Sequence, residues 1–238
     1  MSSVYRLTLR QLSGRWRLLI TLLLAALPVV MGVMWRLIEG DSFPDLEYQE
    51  VALNAMLAGA IIPLITLAIA TAAFSNEVED RTLANLTLSP IPRWQIVVPK
   101  LLGSLTIGGI FLTVSALATS YIVFSGDMTA TIAITAGAVV AIVLYTTVFL
   151  WAGLLTTRAI AFGLLYVFLW EGLFSQNVTV VRFLSIRHYA ITLMHRMDDR
   201  LFADGEHLST GVVIGAAASV FVIFLLLAIR RLRTMDVP

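Results

Sequence analysis

The sequence predicts an all-α membrane protein with six transmembrane helices in a single domain, residues 1–238. Of its 238 residues, 59% are hydrophobic and only 13% are charged, whereas soluble domains carry about 25% charged residues. The charges fall in clusters between apolar runs. Most of these runs have a length close to or above the about 20 residues that a spanning helix needs. The runs lack the alternation of membrane β-strands and are too long for them, so helices are expected.

Each apolar run predicts one span, and polar stretches lie between the spans, the longest of them residues 36–50, 75–100 and 175–210. The predicted spans are residues 18–35, about 51–74, 101–124, 130–155, a fifth run that begins near residue 159, and 211–229.

The arginine and lysine positions predict that both termini lie in the cytoplasm. In that orientation 11 basic residues are cytoplasmic and 5 are external, as the positive-inside rule requires. Four arginines and no acid precede the first span, whereas five acidic residues fill the first outer loop. We therefore expect a multi-pass protein of the cell (inner or plasma) membrane.

Residues 1–17 predict a short amphipathic elbow helix on the inner membrane surface. Val4, Leu7, Leu12 and Trp16 recur at near-helical spacing between arginines, a pattern typical of a helix on an anionic leaflet. The alternative is a disordered positive tail that only sets the topology.

The most informative polar stretch is the predicted cytoplasmic segment 75–100, between spans two and three. Ser75 or Asn76 is expected to cap a short helix with three acids in its first turn, which suits the positive end of the helix dipole. The helix is expected to end near Ser89, because Pro90 cannot continue it. A simple connection needs only a handful of residues. The segment is therefore either a docking element for a cytoplasmic partner or a helix that rests passively on lipid headgroups.

The residue order of this segment resembles that of type-2 ATP-binding-cassette (ABC) exporter permeases. In that family an acidic stretch precedes Gly-Thr-Leu, then Leu, Ser-Pro, a basic residue and a Lys that enters the membrane. Arg81 stands where many members have Gly. The six spans, the elbow and the long outer segment resemble the family over essentially the whole chain. The matching residues are Glu77, Glu79, Asp80, Thr82, Leu83, Leu86, Ser89, Pro90, Arg93 and Lys100.

The resemblance implies that this segment carries a coupling helix, which docks into a separate ATPase subunit and transmits its closure to the spans. The acids and Arg81 would make polar contacts, and the leucines would fill the ATPase groove or pack on the span ends. The resemblance also implies two ATPase copies, which bind ATP and Mg, and a second permease copy in a homo- or heterodimer. The residues it assigns to ATPase coupling are Glu77, Glu79, Asp80, Arg81, Thr82, Leu83, Leu86, Ser89, Pro90 and Arg93.

Glu171 is the ionisable residue that the sequence places at membrane depth or near the outer boundary. The apolar run from residue 159 to 170 is about 18 Å of helix, so the fifth span must continue through Glu171 or end inside the bundle. One interpretation is a group that lines the exit path or acts as a gate. The other is an anchor for the following segment, in which Glu171 pairs with Arg182 or Arg187.

The outer segment 175–210 alternates apolar and basic residues, so it is too apolar for a solvated loop and too charged to span. Short helices that dip into the outer leaflet fit this pattern, and the resemblance implies re-entrant helices here. The three histidines all fall in this segment without metal-ligand spacing, so no metal site is predicted.

The composition narrows the function classes. A net charge of +1 gives no case for a nucleic-acid partner, and the absence of cysteine excludes disulfides and thiolate chemistry. No phosphate-binding Gly-rich loop with Lys occurs, so the chain is expected to bind no cofactor and not to be an enzyme itself. We expect the transmembrane subunit of an ABC transporter that exports an apolar or amphipathic substrate. The alternative is an ion-coupled secondary transporter or an intramembrane enzyme that uses Glu171.

Overall fold

The computed structural model describes residues 2–40, 42–79, 92–156, 158–174, 184–203 and 208–234. Every regular element in these ranges is helical, which confirms the all-α prediction for the described part of the chain. In chain order the helices are α1 (Ser2–Leu12), α2 (Arg15–Glu39), α3 (46–79), α4 (Trp94–Val123), α5 (Met128–Leu155), α6 (159–174), α7 (Ile186–Met197) and α8 (Thr210–Thr234).

Three of these helices contain wide π-helical turns. The turns are Gln49–Ile61 in α3, Leu105–Gly109 in α4 and Tyr166–Phe174 in α6. Such turns are rare in proteins, and many of those that occur lie at functional sites. The turns of α3 and α6 carry polar residues that are described below.

Five of the described helices, α2, α3, α4, α5 and α8, are long and apolar enough to cross a membrane. They correspond to five of the six predicted spans. The remaining predicted span corresponds to α6, which is apolar but short, with 7 α-helical and 9 π-helical residues. The count of six crossings therefore stays a prediction.

The predicted helix cap at Ser75 or Asn76 is wrong. Helix α3 continues without a break through both residues to Glu79, because neither glycine nor proline interrupts the chain here. Glu77 consequently lies in the last turns of α3, where the helix dipole disfavours a negative charge. A nearby cation is needed to offset this.

Helices α3 and α5 pack against each other at the centre of the bundle. A Cβ atom added at Gly153 of α5 would lie 2.7 Å from the carbonyl oxygen of Thr71 in α3, so the two backbones are in close contact. In contrast, α2 and α8 are mostly uncovered and expose large apolar side chains, as lipid-facing helices do.

The helices alternate between two ends of the bundle. The N-terminal end gathers α1, the last turns of α3, the first turns of α4 and the end of α8. There the hydroxyl groups of Tyr5 and Thr106 lie 2.9 Å apart, and Leu12 of α1 and Leu232 of α8 are buried. The opposite end gathers the other connections, where the backbone N–H of Phe202 donates to the Gln49 side chain at 2.8 Å.

Candidate functional site

The structure describes three of the predicted ATPase-coupling residues, and these three lie at the N-terminal end. Glu77 and Glu79 belong to α3, and Arg93 directly precedes α4. The others lie outside the described residues, so their predicted roles stay predictions. They are Asp80, Arg81, Thr82, Leu83, Leu86, Ser89 and Pro90. We call residues 80–91, between the described ends of α3 and α4, the connecting segment.

A buried ion pair joins the two helices at the base of the connecting segment. Lys100 of α4 is 0% exposed, and its Nζ donates to Oε1 of Glu77 at 2.6 Å. The same ammonium donates to the main-chain carbonyl of Ala73 and lies 4.5 Å from the centre of the Phe74 ring. All three partners are in the last turns of α3, so one lysine fixes the end of α3 to the start of α4.

Helix α1 packs on the same part of α4. A Cβ added at Gly103 would lie 2.7 Å from the Thr8 Cγ2 atom, so the absence of a side chain at residue 103 lets α1 approach closely. Together with the hydroxyl contact between Tyr5 and Thr106, this attaches the N-terminal helix to the base of α4, near Lys100.

At the opposite end, Glu171 is the centre of a buried polar cluster. Its side chain is 0% exposed. The Tyr166 hydroxyl donates to Oε1 at 3.1 Å, the Ile186 backbone N–H donates to Oε1 at 3.0 Å, and the Ser185 hydroxyl donates to Oε2 at 2.5 Å. Both carboxylate oxygens are thus occupied by groups that the sequence did not predict.

The carboxylate of Glu171 completes the N-terminal cap of α7. Ser185 is the N-cap residue, and its side chain accepts the His188 backbone N–H at 3.1 Å. Glu171 accepts the first backbone N–H of α7, that of Ile186. A negative charge at this position also suits the positive end of the α7 dipole. Glu171 therefore anchors α7 to α6.

Arg187, one of the two predicted partners of Glu171, is in the same cluster. It is buried, its Nε donates to Oδ1 of Asn54 at 2.5 Å, and Nη1 donates to the main-chain carbonyl of Glu171 at 3.4 Å. A Cβ at Gly59 would lie 3.0 Å from the guanidinium carbon. Arg187 thus ties α7 to the π-helical turn of α3. The other predicted partner, Arg182, lies outside the described residues.

Helix α7 is buried in the bundle. A Cβ at Gly137 of α5 would lie 2.5 Å from Cγ of Met194 and 2.8 Å from the carbonyl oxygen of Ala190. Gly137 is nine residues into α5, or about 14 Å from the start of that helix. Helix α7 is therefore packed inside one end of the bundle, and its predicted re-entrant role stays a prediction.

Arg200 joins three connections at the same end. Its Nη2 lies 2.7 Å from Oδ2 of both Asp127 and Asp198, and its guanidinium carbon lies 5.2 Å from the centre of the Phe43 ring. The hydrogen bond from Arg200 holds the pKa of each of these carboxyl groups below its ordinary value. Arg200 therefore links the α2–α3, α4–α5 and α7–α8 connections.

We predict that Arg200→Gln makes the protein less stable at neutral pH, and that this difference shrinks on acidification. A depressed carboxyl pKa adds stability above the ordinary pKa of about 3.9, and that stability is lost as the pH falls through the folded-state value. Thermal unfolding of the detergent-purified protein at pH 7 and pH 3.5 measures both differences.

The matched control is Arg196→Gln. The guanidinium of Arg196 donates to the neutral carbonyl of Leu208 at 3.2 Å, so the effect of this substitution should not depend on pH. An Arg200→Gln deficit of equal size at both pH values would contradict the assignment.

Within the described ranges, no group of three or more His, Cys, Asp or Glu side chains is arranged to hold a metal ion.

A family model described as "ABC-2 family transporter protein" matches residues 12–237, nearly the whole chain. A search of curated proteins found no match.

Proposed function

The chain belongs to the ABC-2 family of transporter proteins, and from this premise we propose that the connecting segment is the docking element for an ABC ATPase. The family match makes the chain a transporter membrane subunit, as the resemblance of segment 77–100 implied. The observation that supports the proposal is the buried Glu77–Lys100 pair, which joins the two long helices on either side of the connecting segment.

Glu77 faces Lys100 inside the chain, so we assign the partner contacts to the residues that follow it. Glu79, Asp80 and Arg81 would pair with charges on the ATPase, and Leu83 and Leu86 would fill its groove. Glu77 would act indirectly by holding the segment in place. A rigid base matters because a loose connection would absorb the displacement instead of moving the spans.

The proposed orientation places the N-terminal end in the cytoplasm. The arginines of α1, the start of α2 and the end of α8, together with Lys100 of α4, gather there and outnumber the basic residues at the opposite end, as the positive-inside rule requires. Trp16, which is 78% exposed in the first turn of α2, would then lie where aromatic residues anchor to the membrane interface. Helix α1 would then be the elbow, and α6 would be the fifth of six crossings.

The transport path would form between this chain and a second permease copy, with two ATPases below them binding ATP and Mg. Helix α7, fixed by Glu171 and Arg187, would cap the outer end of the path through which an apolar or amphipathic substrate is exported. Hydrogen bonds to both oxygens of Glu171 favour the anchoring role over ion coupling or catalysis by this residue.

The docking proposal predicts that Glu79→Ala/Asp80→Ala reduces capture of an ABC ATPase. The affinity-tagged chain is purified from mild-detergent extracts of its native membranes, and co-purified ATPase is quantified by mass spectrometry. We expect about tenfold less ATPase with the double variant than with the unsubstituted chain, because two charged contacts are lost.

Glu39→Ala/Glu47→Ala is the matched control, since it removes two exposed acids at the opposite end. It should capture as much ATPase as the unsubstituted chain. Equal capture by both double variants would refute the role of Glu79 and Asp80, and no ATPase with any chain would refute the proposed function.

A further inference from the structure

The Glu77–Lys100 pair lies at the ends of the two helices that flank the connecting segment. The connecting segment leaves α3 after Glu79 and rejoins the described chain just before α4. Lys100 reaches across this gap from α4 to Ala73, Phe74 and Glu77, which are successive contacts along the last turns of α3. The pair therefore joins α3 and α4 close to the residues where the connecting segment enters each helix.

Burial restricts the relative positions that Glu77 and Lys100 can adopt. Both side chains are buried, and in such surroundings two opposite charges hold each other only in a narrow geometry, because removing them from water is costly. Apolar side chains of similar volume often provide equal stability without that constraint. An ion pair is therefore a better device for fixing the relative position of two helices than for stabilising them.

The attachment extends to α1. Thr8 and Tyr5 contact Gly103 and Thr106 of α4, one and two turns beyond Lys100. The end of α3, the start of α4 and α1 are thereby held together around one buried lysine.

We infer that Lys100 is a positioning residue for energy coupling: its pairing with Glu77 makes the ends of α3 and α4 move as one unit when the ATPase displaces the connecting segment. This inference rests on the proposed function. Without the pair, the connecting segment would still bind the ATPase, but its displacement would be divided between two independent helix ends and would not reach the opposite end of the bundle.

Because the chain contains no cysteine, a single introduced cysteine is its one thiol, and the labelling rate of that thiol reports the conformation at the chosen position. A single cysteine is introduced at exposed Leu184, at the opposite end, and its maleimide labelling rate is compared in nucleotide-free and ATP–vanadate-trapped complexes. The complexes contain the ABC ATPase that co-purifies with the unsubstituted chain. We expect nucleotide to change this rate about fivefold or more in the otherwise unsubstituted chain.

The deciding variant is Glu77→Gln/Lys100→Met, which removes both charges and keeps similar volumes. The inference predicts that it retains the melting temperature and the bound ATPase but loses most of the nucleotide response at residue 184. A variant that keeps the melting temperature, the bound ATPase and the full nucleotide response at residue 184 would overturn the inference.

The charge-exchanged variant Glu77→Lys/Lys100→Glu keeps the test decisive if the neutral variant unfolds. It restores an ion pair between the same two helices, so at least half of the nucleotide response should return. A folded exchange variant that binds the ATPase without any response would overturn the inference. Failure of the unsubstituted chain to bind an ATPase would instead contradict the proposed function.

Discussion

Glu171→Ala should lower the free energy of unfolding by roughly 2–4 kcal/mol, since it leaves several buried donors without an acceptor. The Tyr166 and Ser185 hydroxyls and the Ile186 backbone N–H all donate to this carboxylate. The N-terminal cap of α7 loses its negative charge at the same time. Thermal unfolding of the detergent-purified protein measures the loss.

Two variants separate the anchoring role of Glu171 from a general effect of removing an acid. Glu39 is exposed, and Glu39→Ala should change the stability by less than about 0.5 kcal/mol. Glu171→Gln keeps the side-chain shape and one acceptor oxygen, so its loss of unfolding free energy should lie between those of Glu171→Ala and Glu39→Ala. If Glu171→Ala melted like Glu39→Ala, the carboxylate would not be the anchor of α7.

Gly153→Ala should also destabilise the protein, by about 1–3 kcal/mol. The new Cβ would lie 2.7 Å from the carbonyl oxygen and 3.0 Å from the Cα of Thr71. Backbone atoms cannot rotate away as a flexible side chain can, so α3 and α5 would have to separate. Gly153→Leu should be more severe, because the remaining side-chain atoms have no space between the helices.

Gly215→Ala is the matched control for Gly153→Ala. No atom lies within 4 Å of an added Cβ at Gly215, and alanine is the better helix former by about 1 kcal/mol. This variant should therefore melt at or slightly above the temperature of the unsubstituted protein. Equal melting temperatures for the two glycine variants would show that the α3–α5 contact is looser than the structure gives.

The spans could be predicted from the sequence because each depends only on a local run of apolar residues. The runs at 18–35, 130–155 and 211–229 all lie within described helices. The predicted helix start at Ser75 or Asn76 was wrong because helix α3 continues through both residues. A capping residue marks a boundary only where the preceding chain leaves the helix, and no residue before Glu79 makes it do so.

Apart from Arg187, the partners of the buried charges could not be predicted, because they depend on how distant helices pack. Lys100 was recognised as the residue that enters the membrane, but its pairing with Glu77 depends on the register of α3 against α4 across 23 residues. Glu171 was recognised from its place in an apolar run. Its contacts with Tyr166 and Ser185 depend on the π-helical turn of α6 and on where α7 begins.

The most direct test of the account is photocrosslinking from the connecting segment in intact cells. A photoreactive amino acid replaces Leu86, and for comparison Met128, which is exposed at the opposite end of the bundle. After illumination, mass spectrometry of the crosslinked products should identify an ABC ATPase attached at residue 86 and none at residue 128. An ATPase attached at residue 128, or its absence from residue 86 in cells where the ATPase is present, would contradict the account.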